Sequence, residues 1–232
     1  SRSDKSNIKV EKKMNKLDKA YNQLLTLSNT VDYHHYMHDK YFAYKQQLKT
    51  IDKTLGKEMA HIQDNRTPEQ HFMDICRGWL VEDVFAYLFT LPPYKDLTLT
   101  FDNHDQDRVI RVMRREITAD PDFKITYKNI TIRMEAQSMY ADMPFFNIKE
   151  HKANRLLNNN SYLLHLNLAQ RHIVLFKPYH IQLGNYGVIE AFSDRSKNIL
   201  KYGFQYDIEE LPSTMIATNF VEELPKKIIS LF

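Results

Sequence analysis

The sequence is poor in cysteine and glycine, with one cysteine and five glycines in 232 residues. A single cysteine permits no internal disulfide, and Cys76 falls in an apolar stretch that predicts a small buried side chain rather than a nucleophile. The chain also lacks a glycine-rich phosphate loop, a G-x-S-x-G elbow and internal repeats. No nucleotide cofactor is therefore predicted.

Long apolar runs are also missing from the sequence. No segment is long enough to span a membrane, and the first ten residues lack the apolar region of a signal peptide. With one cysteine and no membrane segment, we expect a reducing, cytoplasmic setting. A hydrophobic content of 43% in 232 residues is enough for a substantial core, as one large domain or one domain with an appendage.

Residues 122–137, DFKITYKNITIRMEAQ, carry the most informative pattern. Apolar and polar residues alternate on both sides of Lys128 and Asn129, which predicts two strands joined by a two-residue turn. In that register apolar faces apolar, polar faces polar, and Asp122 lies opposite Glu135. The predicted pairs are Phe123–Met134, Lys124–Arg133, Ile125–Ile132, Thr126–Thr131 and Tyr127–Ile130.

Asp122 and Glu135 are the candidate metal ligands of this hairpin. Facing residues on adjacent strands have Cβ atoms roughly 4.5 to 5.5 Å apart, so two bare carboxylates there repel each other unless a cation lies between them. Mg²⁺, which favours carboxylates, waters and substrate phosphate, suits this position. The alternative is an exposed hairpin face with ordinary charged residues, in which Asp122 only ends a strand.

The same residues resemble a known signature. Pro121-Asp122, twelve intervening residues and Glu135-Ala136-Gln137 are similar to the P-D...(D/E)-x-K motif of the restriction-endonuclease-like, or PD-(D/E)XK, nucleases. The resemblance implies an α+β fold, with a central mixed β-sheet flanked by helices. In that family a helix carrying a glutamate precedes the first strand, and a second helix leads from the hairpin into a parallel strand.

Elements that agree with this order span roughly residues 67–180. A capping box at Thr67-Pro68-Glu69-Gln70 predicts a helix to about Leu91, which contains Glu82. Strands are predicted at 97–101, 161–168 and 172–177, the second parallel to the strand of Glu135. A further capping box, Asn147 to Glu150, predicts a helix to about Leu157. Near the C-terminus, helices are predicted at 193–202, closed by Gly203, and within 219–231, interrupted by Pro225.

The resemblance also implies roles for particular residues. Asp122, Glu135 and the backbone carbonyl of Ala136 are expected to hold one or two Mg²⁺ ions, and Gln137 to position the attacking water. Glu82 either completes a second metal site or is an ordinary boundary carboxylate. Gln137 departs from the usual lysine, and a neutral amide supplies neither a cation nor a base. Three possibilities follow: Gln137 itself serves, as Gln or Glu does in some restriction enzymes of this family; Lys149 or Lys152 on the following helix reaches back into the site; or the chain is an inactive, binding-only descendant.

Contacts to DNA are assigned to cations and amides near this motif. Arg108, Arg111, Arg114 and Arg115 form a basic cluster that contacts phosphates or faces solvent. Asparagine side chains can bond both N6 and N7 of adenine, although they more often end helices. The candidate DNA-binding residues are Lys124, Arg133, Lys149, Lys152, Arg155, Asn158 and Asn159.

Residues 1–66 are predicted to form a helical hairpin or arm, separate from a nuclease core at 67–232. Apolar residues recur every three or four positions in two stretches, broken near Ser28 to Asp32. The hairpin packs on the core, contacts a second copy or embraces DNA through its lysines. His34 and His38 share a helix face with His35 beside them, yet no cysteine or acid stands at a recognised spacing, so no zinc site is predicted.

Charge supports a protein that binds DNA. Lys plus Arg against Asp plus Glu number 13 to 8 in residues 1–66, 9 to 13 in 67–144 and 10 to 8 in 145–232, which gives +5, −4 and +2. An acidic centre with basic flanks suits a metal-dependent nuclease, because the metal needs carboxylates and the DNA backbone needs cations. Lysine outnumbers arginine 21 to 11, which indicates an A+T-rich genome.

The resemblance implies the predicted function, a sequence-specific, Mg²⁺-dependent type II restriction endonuclease. Such an enzyme acts as a homodimer on a palindromic site in double-stranded DNA, within a bacterial or phage restriction-modification setting. A narrower hypothesis is an enzyme that cuts an eight-base site of A:T pairs only. The alternatives are a DNA repair or phage-processing nuclease of the same fold, and a non-catalytic helical DNA-binding or scaffold protein.

Overall fold

The computed structural model describes residues 15–50, 66–101, 107–109, 122–220 and 223–232. In these ranges the helices are α1 (Lys16–Leu25), α2 (Val31–Thr50), α3 (Pro68–Leu88), α4 (Glu150–Asn158) and α5 (Glu223–Ile229). The strands are β1 (Thr98–Phe101), β2 (Phe123–Tyr127), β3 (Ile130–Met139), β4 (Phe145–Lys149), β5 (Ser161–Asn167), β6 (His172–Phe176), β7 (Asn185–Val188), β8 (Tyr202–Asp207) and β9 (Ile216–Ala217). A six-stranded mixed sheet has the order β1-β2-β3-β5-β6-β9, and a smaller sheet has the order β4-β8-β7.

The hairpin of β2 and β3 has the predicted register. Phe123 pairs with Met134 and Tyr127 pairs with Ile130, and the three pairs between them are also those predicted. Lys128 and Asn129 form the turn with φ values of 45° and 68°. Positive φ at both central residues matches the right-handed twist of the flanking strands and is typical of a type I′ turn. The hairpin prediction is confirmed.

The strand order of the large sheet confirms the predicted fold class. β3 pairs in parallel with β5, and β5 pairs antiparallel with β6. The connection from β3 to β5 includes α4, as a parallel crossover requires. A mixed sheet flanked by helices, preceded by an N-terminal helical region, is the α+β arrangement expected of the restriction-endonuclease-like type.

Apolar residues of the large sheet are buried on both faces. Phe123, Ile125 and Met134 pack in one cluster with α1, α2 and α3, whereas Leu163 packs in a second cluster with α4 and the small sheet. Residues on one strand alternate between the faces, so Glu135 and Gln137 emerge on the α4 side, opposite to Met134. The site is therefore built where the sheet meets α4.

The N-terminal helices share the cluster of α3. Leu17 and Leu24 of α1 and Met37 and Tyr44 of α2 are buried in it. The division into an arm at 1–66 and a core at 67–232 stays a prediction. Residues 1–14 and 51–65, with the predicted helical positions and lysines that fall there, lie outside the described residues.

Helix α3 begins as the sequence predicts. The Thr67 side chain accepts from the Gln70 N–H, the Gln70 side chain accepts from the Thr67 N–H, and proline occupies the first helical position. The helix ends at Leu88 rather than at Leu91, because Phe89 already caps it and a short 3₁₀ turn follows at Pro92–Tyr94. Cys76 is buried, as expected.

The capping box predicted at Asn147 is wrong. Asn147 lies inside β4, whose partner is β8, and α4 begins at Glu150 with no side-chain cap from Lys149. Phe146 and Ile148 alternate into the core with a period of two, and this burial determines the strand.

The helix predicted at 193–202 is also wrong. The chain forms one short 3₁₀ turn there, Arg195–Lys197, and β8 starts at Tyr202. A Cβ atom at Gly203 would lie 2.2 Å from the Ile148 carbonyl oxygen, so glycine serves the close approach of two strands instead of ending a helix. At the C-terminus, α5 includes Pro225 in its first turn, where no N–H is needed. None of the helices in the described ranges is long and apolar enough to cross a membrane.

Candidate metal centre

Asp122 and Glu135 meet where the hairpin enters the sheet. Asp122 immediately precedes β2, and its Oδ2 accepts a hydrogen bond of 2.7 Å from the backbone N–H of Ala136. Glu135 precedes Ala136 in β3, next to Met134, which pairs with Phe123. The register thus places the two acids at one end of the hairpin, and their role as metal ligands stays a prediction.

Glu135 is buried against two cations from α4. Its Oε2 accepts from Arg155 Nη2 at 2.6 Å and lies 3.3 Å from Lys152 Nζ. Lys152 and Arg155 are three residues apart, so they share one face of α4. Its other oxygen, Oε1, is buried and accepts no hydrogen bond from any residue that the structure describes. One carboxylate oxygen is therefore available for a further ligand.

Two carboxyl groups in this region, those of Asp122 and Glu82, have a raised pKa. Burial is the main cause that raises the pKa of Asp122, and nearby Glu135 adds to it, while Lys152 and Arg155 oppose it. Glu82 on α3 has its pKa raised to about 8 by burial and then by Asp122. Arg108, with Nη1 2.6 Å from Glu82 Oε2, opposes that increase. Helix and hairpin thus bring three acids within electrostatic range.

The donor set around Asp122 suits a hard divalent cation. Asp122 and Glu135 offer carboxylate oxygens, one of which is buried with no partner among the described residues, and Ala136 offers a nearby carbonyl. These are the oxygen donors that Mg²⁺ prefers. Within the described ranges, no three His, Cys, Asp or Glu side chains form a compact metal-binding group. The residues fit a site with two protein carboxylates, completed by waters or substrate.

Gln137 is anchored close to the acids. Its Nε2 donates to the carbonyl of Asn147 in β4 at 2.8 Å, and in the β3–β5 ladder it pairs with His165. Of the two lysines expected to replace the family's lysine, Lys152 reaches Glu135, whereas the ammonium of Lys149 lies 4.4 Å from the ring centroid of Phe192. The assignment of that role stays a prediction.

The predicted DNA contacts lie at two places. Lys124 and Arg133 face each other across the hairpin. Asn158 ends α4 and Asn159 is its C-cap, and the Asn159 carbonyl accepts from Arg133 Nη1 at 3.4 Å. Arg155 is engaged with Glu135, as described above. The role of these residues in DNA binding stays a prediction.

A buried ion-pair group escaped the sequence-based predictions. Arg108 Nη2 lies 3.4 Å from Asp83 Oδ1, and the hydroxyl of Tyr44 donates to Asp83 Oδ2. Two adjacent acids, Glu82 and Asp83, on a largely apolar helix are the signal that a buried cation is needed. The remaining arginines of the predicted basic cluster lie outside the described residues.

His165 also escaped those predictions. It is fully buried in β5 next to Gln137, and neither ring nitrogen has a hydrogen-bond partner in the described part of the chain. The only signal was a polar residue inside a strand that reads as apolar. In the histidine group at 34, 35 and 38, His34 Nε2 lies 2.8 Å from the Ser28 carbonyl oxygen.

Comparisons with known proteins do not assign this chain to a family. No protein-family model matches the chain, and no curated protein matches its sequence. One solved structure is similar, that of Hjc, a Holliday junction resolvase from Archaeoglobus fulgidus, with 10% identity over 64% of this chain and 98% of that chain and a TM-score of 0.36. A TM-score of this size transfers neither fold nor function, so a functional proposal has to rest on the topology and side chains of this chain.

Proposed function

We propose that this protein is a Mg²⁺-dependent nuclease that hydrolyses phosphodiester bonds of double-stranded DNA. The observation that carries the proposal is the position of Asp122 beside Glu135: the N–H of Ala136, the residue after Glu135, donates to Asp122 Oδ2, and Oε1 of Glu135 is buried and unpartnered among the described residues. More specifically, we propose a type II restriction endonuclease that acts in the cytoplasm as a homodimer on a palindromic site.

Each residue of the site has a part in this chemistry. A Mg²⁺ ion held by Asp122, Glu135 and the carbonyl of Ala136 would stabilise the charge that develops on the phosphate. Lys152 and Arg155 bring positive charge to the same carboxylate, at 3.3 and 2.6 Å from Glu135 Oε2. They offset the repulsion between buried acids and attract the phosphate.

Gln137 orients the attacking water in this proposal. Its Nε2 is committed to the Asn147 carbonyl, which fixes the amide plane, and its Oε1 accepts a hydrogen bond from the water. Because an amide takes up no proton near neutral pH, Gln137 acts by positioning and not as a general base. In this proposal Gln137 takes the place of the lysine in the motif by orienting the water.

A DNA cleavage assay tests the proposal. Purified protein is incubated with phage or plasmid DNA in Mg²⁺ or in EDTA, and the wild type is compared with Asp122→Ala and Glu135→Ala. Discrete fragments that require Mg²⁺ and disappear in both variants are expected. Glu209→Ala, at an exposed acid outside the site, is the matched control and cleaves like the wild type.

Other outcomes assign the chain to another class. Smeared products or end-trimming favour a repair or phage-processing nuclease of the same fold. Tight, metal-independent binding without cleavage identifies a DNA-binding or scaffold protein and rejects the catalytic proposal. Fragment ends, once sequenced, also test the hypothesis of an eight-base site of A:T pairs.

A further inference from the structure

A cleft of about 820 Å³ opens beside Gln137, among α1, the end of β3 and β4. Binding sites for small ligands commonly measure about 300–1,000 Å³. Its lining includes residues 137–140 of β3 and its continuation, but neither Asp122 nor Glu135, so the cleft continues along the strand beyond the third motif position. Aromatic walls are formed by Tyr140, Phe145 and Phe192.

Two polar side chains that line this cleft have buried atoms without a partner. Across the ranges that the structure describes, neither nitrogen of His165 nor Oδ1 of Asn147 makes a hydrogen bond. His165 is 0% exposed. Buried polar atoms in folded proteins are nearly always hydrogen-bonded, because an unpaired one is costly. Their position in the lining therefore points to a ligand that completes these hydrogen bonds.

The imidazole of His165 presents one donor and one acceptor. Its ring stacks on Phe146, with centroids 4.1 Å apart and planes at 16°. Burial is the main cause that lowers the pKa of His165 to about 3, and the nearby charge of Lys152 adds to it. The ring is thus neutral at ordinary pH and carries one N–H and one bare nitrogen. With the Asn147 Oδ1 acceptor, this set matches the mixed edge of a nucleobase.

The cleft favours an anion. Lys16 and Lys19 are exposed on α1 and line it, as does Arg77 on α3. Arg77 is held by Asp74 at 2.9 Å and lies 3.9 Å from the centroid of the Tyr140 ring, which leaves the two lysines as phosphate contacts. The described lining residues include no Asp or Glu. Aromatic walls, a donor–acceptor pair and ammonium groups together fit a nucleotide.

We propose that this cleft binds one unpaired nucleotide of a DNA strand. The base packs against Phe192, its edge bonds to His165 and Asn147, and the phosphate lies near Lys16 and Lys19. The inference rests on the proposed function and deepens it, because it adds base recognition next to the reacting phosphate. A base enters such a cleft only when it has left its pair, so the bound strand is locally unpaired.

Binding of a fluorescein-labelled single-stranded oligonucleotide, followed by anisotropy in EDTA, tests this site. Competitors are dAMP, deoxyribose 5-phosphate and inorganic phosphate. We expect dAMP to compete far better than the two competitors without a base. His165→Phe and Phe192→Ala are expected to weaken binding by about tenfold each. Lys49→Gln, an exposed lysine of α2 outside the cleft, is the charge-matched control for Lys19→Gln.

Stability separates a binding role from a structural one. His165→Phe removes two unpartnered nitrogens and is expected to raise the melting temperature while it weakens binding. Equal competition by phosphate and dAMP, or wild-type binding by both His165→Phe and Phe192→Ala, would overturn the inference. The assay contains no metal, so a chain that binds dAMP in the cleft and never cleaves DNA refutes only the nuclease proposal. A chain that cleaves DNA and ignores both substitutions refutes only the cleft.

Discussion

Asp83 on α3 and Glu135 on β3 are both buried acids, 3% and 1% exposed, and both bind an arginine. Asp83 uses both oxygens, one for Arg108 and one for the hydroxyl of Tyr44. Glu135 receives Arg155 and Lys152 on the same oxygen, while Oε1 meets no donor in the part of the chain that the structure describes. The two acids are similarly buried, but among the described residues only Asp83 has a partner for each of its carboxylate oxygens.

This difference distinguishes a structural acid from a candidate ligand-binding one. A buried acid that contributes only to stability is expected to have every lone pair matched, because each unmatched one costs free energy. The α3 side of the sheet meets that expectation at Asp83. On the α4 side Glu135 departs from it, and in the described part of the chain the buried nitrogens of His165, beside Gln137, are also unpartnered. Matched amide substitutions at the two acids therefore test the comparison.

The largest effect is expected from Glu135→Gln on cleavage. The amide keeps the shape but removes the negative charge that holds the metal, so the rate of DNA cleavage falls about a thousandfold or more. Lys152 and Arg155 are partly exposed and can turn to water, so the free energy of unfolding changes by only about 1 kcal/mol. Single-turnover cleavage and urea denaturation measure the two quantities.

Asp83→Asn is expected to show the reverse. The substitution removes a negative charge that faces the buried guanidinium of Arg108. It is therefore expected to lower the free energy of unfolding by about 2–3 kcal/mol. Cleavage well below its melting temperature stays within about threefold of the wild type. Asp96→Ala, an exposed acid, changes stability by less than about 0.5 kcal/mol. If Asp83→Asn abolishes cleavage while it remains folded, the distinction between the two acids fails.

The hairpin could be predicted from the sequence because its information is local. Two strands with a period of two, separated by Lys128 and Asn129, allow one register that matches both faces, and that register is observed. Helix α3 was likewise marked by Thr67 and Gln70 at its start. In both elements the residues that decide the structure are close neighbours in the chain.

Long-range pairing explains what the sequence did not reveal. Asn147 to Glu150 carries the letters of a capping box, yet pairing with β8, more than fifty residues away, holds Asn147 in a strand. The contact of Arg108 with Glu82 joins residues 26 positions apart. The packing of α4 brings Arg155, which the sequence predicts as a DNA contact, to 2.6 Å from Glu135 Oε2. Such contacts depend on tertiary packing, which periodicity and short motifs do not encode.

Mg²⁺ is expected to stabilise the wild-type protein in the absence of DNA. At a concentration ten times the Kd, binding to the folded state alone adds about 1.4 kcal/mol to the free energy of unfolding. Glu135→Gln loses most of this increment, whereas Asp83→Asn keeps it. Thermal denaturation with MgCl₂, compared with NaCl at equal ionic strength, measures it. An equal shift in both variants would place the cation elsewhere.

The smallest expected effect concerns His165 in acid. Its folded pKa of about 3 lies below the ordinary 6.5, so the unfolded chain binds more protons between those values and stability falls as the pH drops below 6.5. From pH 6.5 to 5.5 the loss is about 1 kcal/mol.

His165→Phe is expected to remove this part of the pH dependence, while His180→Phe, at a less buried histidine whose pKa burial also lowers, removes less. Urea denaturation at several pH values provides the measurement. A variant at position 165 with the wild-type slope would mean that the ring already has a partner, and the contrast with Asp83 would then rest on Glu135.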